Sequence, residues 1–491
     1  MKTIDIVIFI VYLLGIVLFG SSFYRKNKSS ASFTLGNNNI PTWVISMSIF
    51  ATFVSSISYL ALPGQAYQTN WNPFVFSLSI PFASYMAVRF FVPLYRSVNS
   101  PSAYTYLEIR FGKWAKLYAS AMYLLTQLMR AGTILFLLAL TLHVMLGWSI
   151  VSIIVVTGLS VMLYSMLGGI QAVVWTDAIQ GIILVAGALV CAGILVFSMP
   201  EGSGQLFQVA AAEHKFSLGS FKPELSSSTF WVVLIYGIII NLQNYGIDQN
   251  YVQRYMTAST DKEAKKSALW GGLMYVPVSM LFLFIGTGLY SYYKVHTGIL
   301  PEGIEGDKVF PWFIVNGLPS GITGLLIASV FAAGMSTIST SVNSTATVIL
   351  NDYVKKSSGE SDKRSMKILY LSSFIFSVLS ILIAIAMINV QSALDAWWKL
   401  ASIFSGGMLG LFLLGYFSKK ANNIAAIAGV AIGVIVIGWM SLSPLFFTGS
   451  WQKFASPFHG YLSIVFGTMS IFLAGFFSGI IIKWLKQKKA A

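Results

Sequence analysis

The chain has 491 residues, 56% hydrophobic and only 10% charged, with a formal net charge of +15 and a mean hydropathy of +0.75. Soluble domains carry about 25% charged residues, so a solvated globular surface is excluded. Apolar runs long enough to cross about 30 Å of hydrocarbon recur from end to end, and the alternating segments of a β-barrel are missing. The chain reads as an all-α polytopic membrane protein.

Thirteen spans are expected, over residues 3–23, 41–68, 72–95, 115–146, 150–167, 172–198, 229–254, 267–292, 309–351, 367–388, 393–418, 421–445 and 457–482. The first has no A-x-A-like cleavage site and reads as retained. The ninth is too long for a simple span, and Pro311 and Pro319 suggest an external re-entrant piece before the helix proper. Of the 31 Lys and Arg residues, 22 fall at one set of span ends, among them Arg25, Lys26, Arg254, Lys262 and Lys483, and 6 at the other. Basic residues accumulate in cytoplasmic loops, so the N-terminus is expected outside and the C-terminus inside. The net charge is then a topology signal and not a nucleic-acid surface. Cys191 is alone, His143, His214, His296 and His459 are scattered, and no P-loop is present. An ATP-driven pump lacks its motor here. A carrier, a channel or a membrane enzyme remains.

In chain order, the first unusual stretch is "SIFATFVSSISYLALPGQAY" (48–67), where hydroxyls crowd the second span and Pro63-Gly64 is expected to interrupt the helix. Such a break frees carbonyls toward a cavity or ion; packing by small residues with a kink is the other reading. Next, Arg130 lies halfway along the fourth span. An arginine near the bilayer centre costs at least about 2.5–3.5 kcal/mol unless it faces a polar cavity or a partner. Either it pairs with Asp177, or its paired N–H donors face a carboxylate substrate. Of the sixteen acids only Asp177 and Asp248 fall within or at the edge of a span core. Paired acids and metal-ligand clusters are absent, which counts against an enzyme. "NLQNYGIDQNYVQRY" (241–255) makes span 7 a second interrupted helix. "ASVFAAGMSTISTSVNSTATVILNDY" (328–353) carries more hydroxyls than packing requires, with residues 333, 336, 337 and 340 on one helical face. Hard oxygen donors of this kind suit a cation such as Na⁺. Spans 2 and 7, five apart and both interrupted, point to two inverted five-helix halves with a site at the midplane.

These stretches resemble the sodium/solute symporters over essentially the whole chain, most specifically in "YSMLGGIQAVVWTDAIQG" (164–181), "YGIDQNYVQRY" (245–255) and "FAAGMSTISTSVNS" (331–344). Within that family "ATFVSSISYLALPGQAY", "SAYTYLEIRFG" and "GLFLLGYFSKKAN" are similar to bacterial sialic acid symporters. The resemblance implies the leucine-transporter fold as a single domain over 1–491: an extra first helix (3–23), two inverted repeats (41–198 and 229–418), and two extra helices with a basic cytoplasmic tail (421–491). It implies symport of one or two Na⁺ ions with an organic anion, a small-molecule carboxylate and most specifically sialic acid, into the cell by alternating access, in a bacterial inner membrane. Neither a nucleic acid nor an obligate protein partner is expected. The shared sodium site would use the carbonyls of Ala51, Val54 and Ala333 with the hydroxyls of Ser336 and Thr337. A second, present in some members, would use Asp177, Ser336, Ser339 and Thr340. Read without the family, Asp177 is a helix-start acid complementing the helix dipole. The resemblance places Arg130 on the substrate carboxylate, with Ser55, Ser58 and Asn241 beside it. The pocket departs from sialic acid members at Phe53, Pro73 and Ser77, where those have a small polar group, an aromatic and a glutamine. Symport of a neutral sugar, a monocarboxylate or a vitamin stays open as the alternative.

Overall fold

The computed structural model describes residues 2–354, 361–389 and 405–490, and among these every regular element is helical. The first span is α1 (Thr3–Ser22), followed by the short α2 (Ser30–Leu35). The second is split into α3 (Thr42–Phe53) and α4 (Ser56–Gln68), bent by 54°. The break does not fall at Pro63-Gly64 as the sequence suggests. It falls at Val54-Ser55, both in extended conformation, with ψ of 109° and 168°. Ser55 caps α4 by accepting from the Ser58 amide at 3.3 Å, whereas Pro63 sits inside α4. There a Cβ on Gly286 would lie 2.1 Å from the Pro63 carbonyl oxygen. A close-packed neighbouring backbone therefore absorbs the proline, as membrane bundles allow.

The third span is built from α5 (Phe74–Leu78), α6 (Ile80–Met86) and α7 (Val92–Val98), with one π-turn over Ala87–Phe91. After α8 (Thr105–Phe111) the fourth span is α9 (Lys113–Leu146). The fifth and sixth are the two halves of α10 (Ile150–Phe197), which breaks at Gly169 with φ 58° and ψ −155°. The halves fold back on each other. Ser329 hydrogen-bonds the Ile183 carbonyl, and Phe331, two residues on, shares a small apolar cavity with Ile153 and Thr157. On a straight helix Ile153 and Ile183 would stand about 45 Å apart. The turn is possible because Gly169 has no side chain: a Cβ there would lie 2.9 Å from the Phe33 Cα in α2.

Past α11 (Ser203–Ala212), the seventh span is α12 (Phe230–Ile247) and α13 (Gln249–Met256), broken at Asp248, whose ψ is 127°. The Asp248 carboxylate caps α13 through the Asn250 amide at 2.8 Å. The eighth comprises α14 (Asp261–Leu273) and α15 (Tyr275–Val295). As the prolines suggested, the long ninth stretch is a short α16 (Gly306–Asn316) and then α17 (Ile322–Val348). The buried Asp5 of α1 accepts from the amides of Gly321 and Gly324 at 2.7 and 3.1 Å, satisfying the start of α17. The tenth is α18 (Asp362–Ala386). The first part of the expected eleventh span, 393–404, lies outside the described residues; α19 (Met408–Phe417) belongs to its described remainder. The last two are α20 (Asn423–Phe446) and α21 (Leu462–Ala490).

Helix α17 is the axis of the bundle. Every residue from Leu326 to Val348 is buried, among α1, α3, α4, α9, α10 and α18. Replacing Gly169 by valine combines a left-handed φ with a steric clash and is expected to cost about 2 kcal/mol or more. A lowered melting temperature of the purified protein, against an unchanged one for Gly193→Ala in open space, checks this.

Candidate functional site

The two breaks face the hydroxyl-rich stripe of α17. Because α3 ends at Phe53, its last carbonyls lack intrahelical partners. The Ala51 carbonyl accepts from Ser336 Oγ at 3.1 Å. Within α17 the Ala333 carbonyl accepts from Ser336 Oγ and Thr337 Oγ1 at 3.1 and 3.2 Å. Four of the five groups expected at the first sodium site thus crowd about one point, and the fifth residue, Val54, is the break itself. All five residues are buried. The set is neutral oxygen, which suits Na⁺. Among the described residues no group of three His, Cys, Asp or Glu side chains gathers for a transition metal.

The second expected group also comes together, with an occupant the sequence did not suggest. Asp177 Oδ1 accepts from Ser339 Oγ, and Oδ2 from Thr340 Oγ1, each at 3.5 Å. Oδ2 is held more closely by Arg254 Nη2 at 2.6 Å and by Ser48 Oγ at 2.8 Å. The pair is sealed from solvent, with side-chain exposures of 1% for Arg254 and 0% for Asp177. Two expectations are corrected here. Arg254 is a core cation and not an inner-loop charge, because the break at Asp248 turns α13 inward and buries all of its residues. Asp177 is not the partner of Arg130, because Arg254 occupies it.

Arg130 is half-buried and makes no hydrogen bond or ion pair among the described residues. Its charge is felt at Asp248 and Tyr251, beside the break in span 7. One turn before it, Gln127 accepts from Ser341 Oγ at 2.8 Å and reaches Asp248 Oδ2 at 3.5 Å. The α9 face carrying Arg130 is thereby tied to α17 and to the span 7 break.

Phe53, at the end of α3, stacks on Tyr245 with ring centroids 5.4 Å apart and meets Tyr275 edge-on at 4.4 Å. Phe76 and Tyr251 complete this aromatic wall at 6.3 and 6.4 Å. Ser55 and Ser58 lie just across the break, 3.4 Å from each other, and Ser58 adjoins the Tyr275 hydroxyl. Pro73 is the residue before α5, and the buried Ser77 lies within its last turn. The Asn241 amide nitrogen donates to Ser79 Oγ at 2.9 Å and to the Phe76 carbonyl at 3.3 Å, leaving its buried Oδ1 without a partner among the described residues.

Sequence reasoning missed Arg254, Ser48, Gln127 and the tyrosines of the wall. Arg254 and Tyr251 belong to a stretch already singled out; the missing signal was the position of the break, which decides that they point inward. Removing one member of a buried ion pair costs about 3–5 kcal/mol, whereas replacing both by apolar groups is often nearly neutral. Arg254→Met alone is therefore expected to destabilise by about that amount, and Arg254→Met with Asp177→Leu to recover most of it, as read by thermal unfolding without Na⁺.

Comparison with known proteins bears on this geometry. The model of the sodium:solute symporter family matches residues 33–433. The sodium/sialic acid symporter of Proteus mirabilis is 32% identical over 470 residues, covering 94% of this chain and 92% of that one. The sodium/sialic acid symporter of Aliivibrio fischeri is 29% identical over 486 residues, covering 98% and 94%. A solved Na⁺-coupled sialic acid symporter, in a substrate-bound outward-open state, superposes with a TM-score of 0.91 at 29% identity, covering 98% of both chains. The broken spans are those of the leucine-transporter fold, Na⁺ is the coupling ion, and the chain is a multi-pass membrane transporter and not an enzyme. This protein belongs to the sodium:solute symporter family.

Proposed function

We propose that this protein carries an organic anion, most specifically sialic acid, into the cell together with Na⁺. The observation that carries the reading is Arg130: a permanent cation halfway along α9, beside the broken span 7, with no ion pair among the described residues. A cation halfway along a membrane span and without a fixed partner is expensive unless it faces a polar cavity or a mobile anion meets it, and a guanidinium binds a carboxylate through two parallel N–H bonds. The relatives named for sialic acid, a sugar acid, support the same substrate. Ser55, Ser58 and Asn241 would serve its polar groups, and Phe53, Pro73 and Ser77 would shape the pocket. The aromatic wall around Phe53 favours, as the second reading, a smaller or less hydroxylated carboxylate.

In this reading Na⁺ binds from outside between Ala51, Val54, Ala333, Ser336 and Thr337. The ion would take the place of the Ser336 hydroxyl proton at the Ala51 carbonyl, the bond that links α17 to the end of α3, and so fix the break that carries Phe53, Ser55 and Ser58. Each ligand then raises the affinity of the other by the same factor. The helix order and charge bias support an outside N-terminus, a cytoplasmic C-terminus and inverted repeats over 41–198 and 229–418, and the bacterial relatives support residence in the inner membrane of a bacterium.

Two measurements test this. Proteoliposomes holding the protein are expected to accumulate radiolabelled sialic acid only under an inward Na⁺ gradient. Arg130→Ala is expected to abolish uptake while Na⁺ still stabilises the purified variant. Uptake of a neutral sugar by Arg130→Ala at the unaltered protein's rate would sink the anion reading. Ser336→Ala removes a hydroxyl ligand and is expected to raise the Na⁺ concentration for half-maximal uptake about tenfold.

A further inference from the structure

The carboxylate of Asp177 has two oxygens with unequal company. Oδ2 is bound by Arg254 Nη2 at 2.6 Å and Ser48 Oγ at 2.8 Å, whereas Oδ1 has Ser339 Oγ at 3.5 Å among the described residues. The guanidinium of Arg254 is itself spread over four acceptors: Asp177 Oδ2, Thr340 Oγ1 at 2.6 Å, Ser48 Oγ at 2.7 Å and the Asn250 carbonyl at 2.6 Å. Two of the four side chains assigned to a second Na⁺ site, Asp177 and Thr340, therefore already serve a cation that belongs to the protein. Arg254 sits on α13, directly after the span 7 break, so the element that sets this charge in place is one of the two interrupted spans.

A Na⁺ ion on the Oδ1 side would share one negative charge with a guanidinium only a few ångströms away. Like charges so close, and shielded from water, repel far more strongly than in solvent. Charge neutrality at Asp177 is met before the ion arrives. Resting on the reading of Asp177, Ser336, Ser339 and Thr340 as a second sodium site, we propose that Arg254 is a positioning residue that shares Asp177 with the second Na⁺ and holds that ion's affinity low, so that it is the ion more readily released. A merely structural arginine would act in the opposite sense, since its loss would loosen the ligands and weaken binding.

The test is a Na⁺ titration of the purified protein against choline at constant ionic strength. Thermal stabilisation gives the binding midpoints, and its limiting slope gives the number of ions. The unaltered protein is expected to bind two ions and Asp177→Asn one. Arg254→Gln is expected to keep two, with the weaker midpoint at least about tenfold lower in Na⁺ concentration. If Asp177→Asn binds as many ions as the unaltered protein, the second-site reading fails. If Asp177→Asn loses an ion but Arg254→Gln leaves the midpoint unchanged or raises it, the site stands and the role of Arg254 is overturned. Arg254→Lys guards against loss of folding in the glutamine variant. It keeps a cation, but one nitrogen cannot hold all four acceptors. A midpoint a few-fold lower is expected, and an unchanged or higher one overturns the proposal by itself.

Discussion

In hydrocarbon every backbone polar group must find a partner within the protein, and the architecture follows from where this chain declines to be a continuous helix. It stops at Val54-Ser55 and at Asp248, and both stops are satisfied locally. Ser55 and Asp248 cap the helices that restart, and the freed Ala51 carbonyl is met by Ser336. That last bond ties the broken span to α17, so the groups that quench the break are the groups suited to hold an ion. Neutral oxygens gathered in this way suit a hard cation, which is why irregular backbone here reads as a candidate site and not as a defect.

The same economy governs charge. Arg254 and Asp177 are both fully buried, and each is surrounded by the partners that make burial tolerable: hydroxyls of Ser48 and Thr340 and a carbonyl of α13. Arg130 shows the contrast. It is half-buried and lacks a close counter-ion among the described residues, and the acid within its field, Asp248, is committed to capping α13. One arginine completes the structure, and the other is left without a fixed counter-ion among the described residues, the feature on which the proposed anion role rests.

Close packing brings these groups into register. Helix α17 can lie among its neighbours because small residues line the contacts: a Cβ on Gly187 would lie 2.4 Å from Ser329 Oγ, and one on Gly334 would lie 2.5 Å from a Leu138 methyl. Such contacts replace the hydrophobic driving force that lipid cannot supply. They also set α3, α9, α10 and α13 at distances where single hydrogen bonds bridge them to one helix.

Membrane class, helical character, the approximate spans, the broken character of spans 2 and 7 and the hydroxyl stripe of α17 were all determined by the sequence alone. Length, hydropathy and helical period are local properties, and each of these features is local. Ala333, Ser336 and Thr337 share one face for the same reason, since they lie within about a turn of one another, whereas Ala51 meets Ser336 across 285 residues of sequence, which only packing decides. What only the tertiary structure decided was non-local. Pro63-Gly64 looked like the interruption because a proline lacks its N–H, yet packing against Gly286 absorbs it and the break moves to the capping Ser55, eight residues before the proline. Arg254 looked like a loop charge because basic residues collect at span ends, yet the turn at Asp248 carries it onto Asp177, 77 residues away in sequence. No local pattern says which carboxylate a buried arginine will meet; that depends on which helices are brought side by side, and desolvation then makes the choice binding.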